Sequence, residues 1–202
     1  MGQIVSYARR GAIGFITVDN PPVNALSIGV RKGIVDCLAE GAADADAKAL
    51  VLICAGRTFI AGADITEFNK PLEDPDLNAV IAALEDCPKP VVAAIHGTAL
   101  GGGLETALGC HYRCAVPSAQ VGLPEVKLGI IPGAGGTQRL PRIAGVQAAL
   151  EIITSGDPIP AAKAHALGII DEIIDEKLEG AAAFAEKIVA EGRPLRRIRD
   201  LD

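Results

Sequence analysis

The sequence predicts an α/β domain, because strand patterns alternate with helical patterns along its 202 residues. Half of the residues are hydrophobic and 22% are charged, which suits one substantial core in a chain too short for two ordinary enzyme domains. Proline-rich stretches, such as Asn20-Pro-Pro-Val and Cys87-Pro-Lys-Pro, punctuate the element boundaries. We expect one domain over residues 1–190, followed over 191–202 by a basic linker or a truncated C-terminal region.

The spacing of apolar residues defines the elements in chain order. A β-branched run predicts a strand at Ile13–Val18, and helical spacing behind a Ser27 cap predicts a helix at Ile28–Ala43. A strand at 50–54 is followed by helical spacing at 77–85, and the run Val91–Ile95 predicts another strand. The remaining predictions are short strands at 112–116 and 172–174 and helices at 146–154, 161–167 and 178–191.

Composition excludes several classes of function. A net charge of −6, no Trp, and no basic face with interleaved aromatic residues argue against nucleic-acid binding. The longest apolar stretch is interrupted by His96 and Glu105, so no membrane span is expected. Five cysteines, odd in number and without a Cys-x-x-Cys pair, suggest buried thiols in a reducing cytoplasm rather than disulfides or a metal site. A solvated surface role is the default for the cations near the motifs below, which are Arg57, Lys70, Lys127, Arg139 and Arg142.

Two glutamates lie in apolar surroundings and are the first candidate functional residues. Glu105 ends the stretch that begins at His96 and contains three consecutive glycines, and Glu125 follows Val121-Gly-Leu-Pro. A carboxyl group among Ala, Leu, Gly and Val must reach solvent, find a partner, or sit in a pocket that raises its pKa and suits it to proton transfer. The competing interpretation is that each glutamate caps a helix or pairs with an arginine.

Three glycine-rich loops accompany the glutamates. A strand that runs into Gly101-Gly102-Gly103 and then a helix leaves unpaired amides open to an anion or oxyanion, whereas the spacing does not match a nucleotide phosphate loop. Ala63 after Gly62 could supply a second amide donor, although Ala-Gly-Ala-Asp as a bare string is more often an ordinary turn. The third loop, residues 129–139, could wall a pocket or simply pack under a helix.

Together these segments resemble the crotonase, or enoyl-CoA hydratase/isomerase, superfamily. The resemblance covers nearly the whole chain, through residues 20–26, 61–65, 90–97, 99–105, 123–129, 131–140 and 167–172. Within the superfamily, residues 109–113 and 120–125 look most like the N-terminal hydratase/isomerase part of bifunctional enzymes that also carry a 3-hydroxyacyl-CoA dehydrogenase.

The resemblance implies a fold, a ligand and a set of roles. The fold would be a spiral of repeated β-β-α units, and the ligand an acyl-CoA thioester. The amides of Ala63 and Gly102 would donate to the thioester oxygen, while Glu105 and Glu125 would hold and activate water, with Glu125 delivering the proton to Cα. The residues expected to bind substrate are Ala61, Gly62, Asp64, Ile65, Pro132 and Gly133.

The implied activity is hydration of trans-2-enoyl-CoA in fatty acid β-oxidation. No cofactor is expected in this chain, and NAD would be needed only by a dehydrogenase domain elsewhere. The chain is expected to form a homo-oligomer or to be fused to such a domain. Family members normally continue into helices that cover the site, and those helices are expected to be truncated here.

Three alternatives are weighed against hydration. A Δ3,Δ2-enoyl-CoA isomerase needs only the carboxyl group of Glu125, and the presence of Glu105 favours hydration without excluding it. A non-catalytic acyl-CoA-binding domain would have a pocket without turnover. A serine hydrolase is disfavoured because no serine lies in a Gly-x-Ser-x-Gly elbow.

Overall fold

A computed structural model describes residues 3–67, 71 and 73–202, which leaves Lys70 and the side chain of Ile65 outside the described part of the chain. Short 3-10 helices lie at Ile65–Glu67, Pro124–Leu128 and Ile198–Asp200. The strands and α-helices, in chain order, are β1 (Val5–Arg10), β2 (Ile13–Val18), α1 (Ile28–Ala43), β3 (Ala49–Cys54), α2 (Leu77–Asp86), β4 (Val91–Ile95), β5 (Thr98–Leu100), α3 (Gly102–Gly109), β6 (Tyr112–Ala115), β7 (Gln120–Gly122), α4 (Gly136–Ala144), α5 (Val146–Ser155), β8 (Ile159–Pro160), α6 (Ala161–Ala166), β9 (Glu172–Ile173) and α7 (Lys177–Ala190).

The larger sheet has the strand order β1-β2-β3-β4-β6-β9, with β1 antiparallel to β2 and the other neighbours parallel. Every residue of β3 is buried, as expected for a parallel strand covered on both faces. Leu50 and Leu52 face the main core, while Val51 and Ile53 face a second cluster with Phe184 of α7. Alternate side chains of β3 therefore pack into two apolar layers, one on each face of the sheet.

A smaller sheet, in the order β5-β7-β8, stands beside the larger one. β4 of the large sheet leads into β5 of the small sheet and then into α3, and β6 leads in the same way into β7 and the 3-10 helix Pro124–Leu128. This repeat of strand, strand and helix is what the family resemblance implied. The predicted α/β spiral is confirmed.

The predicted elements agree with the structure to within one residue at each end. Among the strands, those that apolar spacing did not predict are β1 and the short strands β5, β7 and β8. β5 and β7 have three residues each and β8 has two, which is too short for a period to register. β1 is partly exposed and carries Arg9 and Arg10, so it lacks the apolar run that marked the buried strands.

Residues 191–202 lie against the domain. Ile198 is fully buried, the Tyr112 hydroxyl donates to the Pro194 carbonyl at 2.6 Å, and Arg199 pairs with Asp86. The boundary at residue 190 between a domain and a linker stays a prediction. Within the described ranges, no helix combines the length and apolarity needed to cross a membrane.

Arg113 ties β6 to the segment before β9. Its side chain is wholly buried and donates to the carbonyl oxygens of Ile169 at 2.7 Å and Cys110 at 2.8 Å, and it pairs with Asp171 at 3.3 Å. Buried carbonyls and a buried charge are costly without partners, so these contacts let the guanidinium hold β6 and the segment before β9 together.

We expect Arg113→Met to lower the free energy of unfolding by about 3–5 kcal/mol, because it leaves the buried polar groups that bind the guanidinium without their partner. Urea denaturation would measure the loss. The matched control is Lys187→Met, which breaks an exposed pair with Glu172 and should cost at most about 1 kcal/mol. Equal losses in the two variants would contradict this role for Arg113.

Candidate active site

A cavity of about 380 Å³ lies where α2 and α3 begin and where the loop before α4 approaches them. Its wall also includes Leu77 of α2 and the exposed apolar residues Leu128 and Ile131. The predicted site residues that line it are Ala61, Gly62, Ala63, Gly102, Glu105, Glu125 and Gly133. Segments that are far apart in the sequence therefore meet at one concave surface.

Three predicted substrate-binding residues are placed differently. Asp64 turns back on its own loop, where its Oδ1 accepts the Thr66 amide at 2.9 Å and hydroxyl at 2.8 Å. Pro132 is buried and packs beneath Gly136. Neither is among the described residues that line the cavity. Ile65 begins a 3-10 helix, but its side chain lies outside the described residues. Substrate binding by these three residues stays a prediction.

The first turn of α3 crosses the backbone at Ile60 with no room for side chains. A Cβ atom at Gly103 would lie 2.0 Å from the Ile60 carbonyl oxygen, and one at Gly102 would lie 2.9 Å from Leu77. Only glycine permits this approach. The glycines therefore set how closely α3 approaches the loop that carries Ala63.

The amides of Ala63 and Gly102 lie near each other at this crossing. A Cβ atom at Gly102 would be 3.8 Å from the Ala63 nitrogen. Gly102 is the first residue of α3, so its amide has no acceptor within the helix. Leu26 pairs with the loop by donating to the Gly62 carbonyl at 3.0 Å, and the Ala63 amide has no backbone acceptor among the described residues. Two donors on one wall can stabilise an oxyanion.

Asn24 and Arg31, which the sequence analysis did not single out, hold this wall. Asn24 is buried at φ 53° and donates to the carbonyl oxygens of Ala55 at 3.0 Å and Thr58 at 2.9 Å. Arg31 donates to the Leu26 carbonyl at 2.7 Å and to Glu67 at 2.8 Å. The sequence held one signal for Arg31, because this arginine lies on the apolar stripe of the helix predicted at Ile28–Ala43.

Glu105 is buried beneath the start of α4. Its Oε1 accepts the amides of Ala134 and Gly136, each at 2.8 Å. Burial raises the pKa of Glu105, and the two amide hydrogen bonds oppose that rise by favouring the carboxylate. Because Gly136 is the first residue of α4, Glu105 also caps a helix, so both interpretations of this residue hold in part.

Glu125 has a different environment, in the first turn of the 3-10 helix Pro124–Leu128. It is 9% exposed, and its Oε2 is buried with no hydrogen-bond partner in the described part of the protein. Burial raises the pKa of Glu125, and the negative charge of Glu105 raises it further. The pKa of both glutamates is thus raised, but two amide hydrogen bonds favour the charged form of Glu105, whereas Oε2 of Glu125 accepts none within the described residues.

The default assignment of Arg139 to the solvated surface was wrong. Its side chain is 15% exposed and pairs at 2.8 Å with Glu85, whose side chain is 2% exposed. Arg57, Lys127 and Arg142 are exposed as expected. Across the described residues, no group of three or more His, Cys, Asp or Glu side chains is placed to hold a metal ion.

Comparison with known proteins identifies relatives of this chain. The family model described as "Enoyl-CoA hydratase/isomerase" matches residues 8–197. A "Peroxisomal bifunctional enzyme" of Danio rerio is 49% identical over 187 residues, which cover 92% of this chain and 26% of the relative. The chain therefore spans about a quarter of that protein's length.

Two further relatives are closer to this chain in length. A "Probable enoyl-CoA hydratase" of Bacillus subtilis is 45% identical over 197 residues, covering 91% of this chain and 76% of the relative. A solved enoyl-CoA hydratase from Bacillus anthracis superimposes with a TM-score of 0.84 at 36% identity, covering 93% of this chain and 77% of the other. Sequence and fold thus agree on the same family.

We expect Gly103→Ala to lower the free energy of unfolding by about 1–3 kcal/mol or more, because the new methyl group would overlap the Ile60 carbonyl. Thermal denaturation would measure the change. The matched control is Gly133→Ala, where a Cβ atom would meet nothing within 4 Å. A Gly103→Ala protein as stable as this control would rule out the close crossing.

We expect Glu125→Gln to raise the free energy of unfolding at pH 7–8, on the order of 1 kcal/mol, because it removes a buried carboxylate whose Oε2 has no hydrogen-bond partner among the described residues. Because the folded-state pKa of Glu125 is raised, its ionisation costs the folded state more than the unfolded chain. The gain should therefore be present above the folded-state pKa and absent below the unfolded value, near pH 4. Urea denaturation at several pH values would measure it, and a gain that persists at low pH would contradict this cause.

Proposed function

This chain belongs to the enoyl-CoA hydratase/isomerase family, and on that premise we propose that it adds water to a trans-2-enoyl-CoA to give the 3-hydroxyacyl-CoA. The observation that carries the proposal is that two buried carboxyl groups in one cavity have different environments. Glu105 accepts two amide donors, whereas Oε2 of Glu125 has no hydrogen-bond partner among the described residues. Adding water across a double bond requires both a proton acceptor and a proton donor, and such pairs identify acid and base.

The oxyanion wall would act on the thioester carbonyl. Attack of water at Cβ moves electrons toward that carbonyl and places negative charge on its oxygen. The amides of Ala63 and Gly102 would donate to this oxygen, and the start of α3 adds the positive end of a helix dipole. Loss of one such donor typically slows a reaction by about 10²–10³-fold.

The two glutamates would divide the proton transfers. Glu105, whose charged form is favoured by the amides of Ala134 and Gly136, would position the water and help take its proton as the hydroxyl bonds to Cβ. Glu125, whose pKa is raised mainly by burial, would deliver a proton to Cα. The proton left on Glu105 would then pass to Glu125, so both groups return to their starting forms and the net change is the addition of one water molecule.

Isomerisation of 3-enoyl-CoA is the second candidate. Moving a proton between carbons needs one carboxyl group that can alternately accept and donate, and the unpartnered Oε2 of Glu125 favours this chemistry. A non-catalytic acyl-CoA-binding domain would use the same cavity without either step.

We also propose a setting for this activity. The names of relatives, "Peroxisomal bifunctional enzyme" and "Glyoxysomal fatty acid beta-oxidation multifunctional protein MFP-a", support a role in fatty acid β-oxidation and a covalent link to a further enzyme domain. We propose that this domain is the 3-hydroxyacyl-CoA dehydrogenase that the family resemblance implies. We propose no cofactor for this chain, with NAD reserved for that domain, and either this fusion or a homo-oligomer as its assembly. The five free, buried cysteines support a reducing compartment such as the cytoplasm, while those names point to peroxisomes and glyoxysomes for the relatives.

The test is to mix the protein with crotonyl-CoA and follow the ultraviolet absorbance of the conjugated thioester. We expect the absorbance to fall, and we expect Glu105→Gln and Glu125→Gln each to lower kcat by about 10²–10⁴-fold, since each removes a proton-transfer group. Glu186→Gln, on the exposed face of α7, should retain full activity.

The outcomes separate the candidates. Conversion of 3-enoyl-CoA that depends only on Glu125 would favour the isomerase. Calorimetric binding of 3-hydroxybutyryl-CoA without turnover of either substrate would favour the non-catalytic domain. Near-normal hydration by either Gln variant would remove that glutamate from the mechanism.

A further inference from the structure

Arg139 of α4 grips a buried carboxylate with two parallel hydrogen bonds. Its Nε donates to Oε1 of Glu85 at 2.8 Å, and its Nη2 donates to Oε2 at 2.9 Å. This fork arrangement fixes the plane and direction of the guanidinium more firmly than a single contact would. Glu85 lies in the last turn of α2, so the pair anchors the side chain of Arg139 to a second helix.

The third donor of Arg139 reaches the loop in front of its own helix. Its Nη1 donates to the Ala134 carbonyl at 3.2 Å. The guanidinium also lies against Gly135, where a Cβ atom would be 2.1 Å from Nη1. Gly135 adopts φ 91°, a conformation that glycine tolerates and other residues rarely adopt. The turn and the guanidinium therefore fit together through a residue without a side chain.

The opposite side of the same turn holds Glu105. Ala134 accepts from Arg139 through its carbonyl and donates to Glu105 through its amide, and Gly136 supplies the second amide donor. The Ala134 amide lies in the peptide plane between residues 133 and 134 and the Gly136 amide in the plane between 135 and 136, so the plane that contains the Ala134 carbonyl lies between the two donors along the chain. A side chain that fixes the Ala134 carbonyl consequently also constrains the donors on Glu105.

We propose that Arg139 is a positioning residue for Glu105, acting through the turn at residues 134–136, with Glu85 as its anchor. The inference rests on the proposed hydration, in which Glu105 must hold a water at a fixed place. A displacement of about 1 Å in such a group can cost about 10²-fold in rate.

Stability alone does not account for the Arg139–Glu85 pair. Burying both charges carries a desolvation cost that can exceed their attraction, and apolar residues of similar volume often replace such pairs without loss. The geometry instead gives orientation, because two donor contacts fix the guanidinium on Glu85 of α2 and the third reaches the Ala134 carbonyl of the turn. Groups that support a reactive side chain in this way commonly set the precision of a site.

Arg199 offers a matched control. Its Nη1 lies 3.4 Å from Oε2 of Glu85, so it contacts the same carboxylate as Arg139, while its other ion-pair partners among the described residues are Asp86 and Asp200, neither of which belongs to the turn. Arg199→Met removes a cation from Glu85 and leaves the contact with the Ala134 carbonyl intact. A general electrostatic role of cations at Glu85 would affect both variants, whereas positioning would affect only Arg139.

The kinetic test compares Arg139→Met, Arg139→Lys and Arg199→Met with crotonyl-CoA as substrate. We expect Arg139→Met to lower kcat by about 10–100-fold with KM changed less than about threefold, and Arg139→Lys to keep part of the activity. Arg199→Met should match the unaltered protein. In a Glu105→Gln background, Arg139→Met should cause little further loss, because the two changes act through the same group. An equal loss in that background, or an unchanged kcat in Arg139→Met, would overturn the proposal.

A second readout does not require turnover. We expect the NMR signals of the Ala134 and Gly136 amides to move upfield in Arg139→Met as their bonds to Glu105 weaken, and to stay in place in Arg199→Met. If Arg139→Met does not fold, Arg139→Lys serves for the same comparison. Absence of hydration in the unaltered protein would refute the proposed function alone, whereas unmoved amide signals would refute the positioning role alone.

Discussion

The close crossing of α3 over Ile60 is the constraint on which the site depends. The Ile60 carbonyl accepts the Leu100 amide at 3.1 Å, and the backbone of Gly103 passes directly over it. This contact fixes the depth of α3 against the small sheet. The depth of α3 in turn sets the positions of the Gly102 amide and of Glu105, because Gly102 begins α3 and Glu105 lies in its first turn.

Several of the buried charged groups lie around this crossing and its supports. The large sheet and α7 bury mainly apolar side chains, with alternate residues of β3 facing opposite layers, although β6 also carries the buried Arg113. By contrast, Arg31, Glu85, Glu105 and Glu125 are all buried near the cavity or its walls. Each buried charge reduces stability unless its partners compensate, so the fold bears this cost where a reactive geometry is required.

Much of this arrangement was accessible from the sequence, and the exceptions have a common cause. Apolar spacing located the long elements because their periods run over several residues, and the apolar surroundings of Glu105 and Glu125 singled out the two carboxyl groups. The Arg139–Glu85 pair joins residues 54 positions apart, and nothing local distinguishes either residue from a solvated surface charge. Asn24 likewise acts through carbonyls of residues 55 and 58, contacts that only the folded chain creates. Local periodicity predicts elements, whereas the polar supports arise from contacts between them.

The cavity lies at the beginnings of three helices, and this has an electrostatic consequence for the protein as a whole. Asp76 caps α2 by accepting the Ala79 amide, but α3 and α4 begin at glycines that provide no capping side chain of their own. Helix beginnings carry a partial positive charge. An acidic protein with a net charge of −6 thus places the partial positive charge of helix beginnings beside the carboxyl groups of Asp76, Glu105 and Glu125, with no lysine or arginine in the described cavity wall. Because the effect of a helix dipole is confined to its first turn, an oxygen that gains negative charge would benefit from it only when it lies against the amides themselves, and not while it approaches the acidic outer surface.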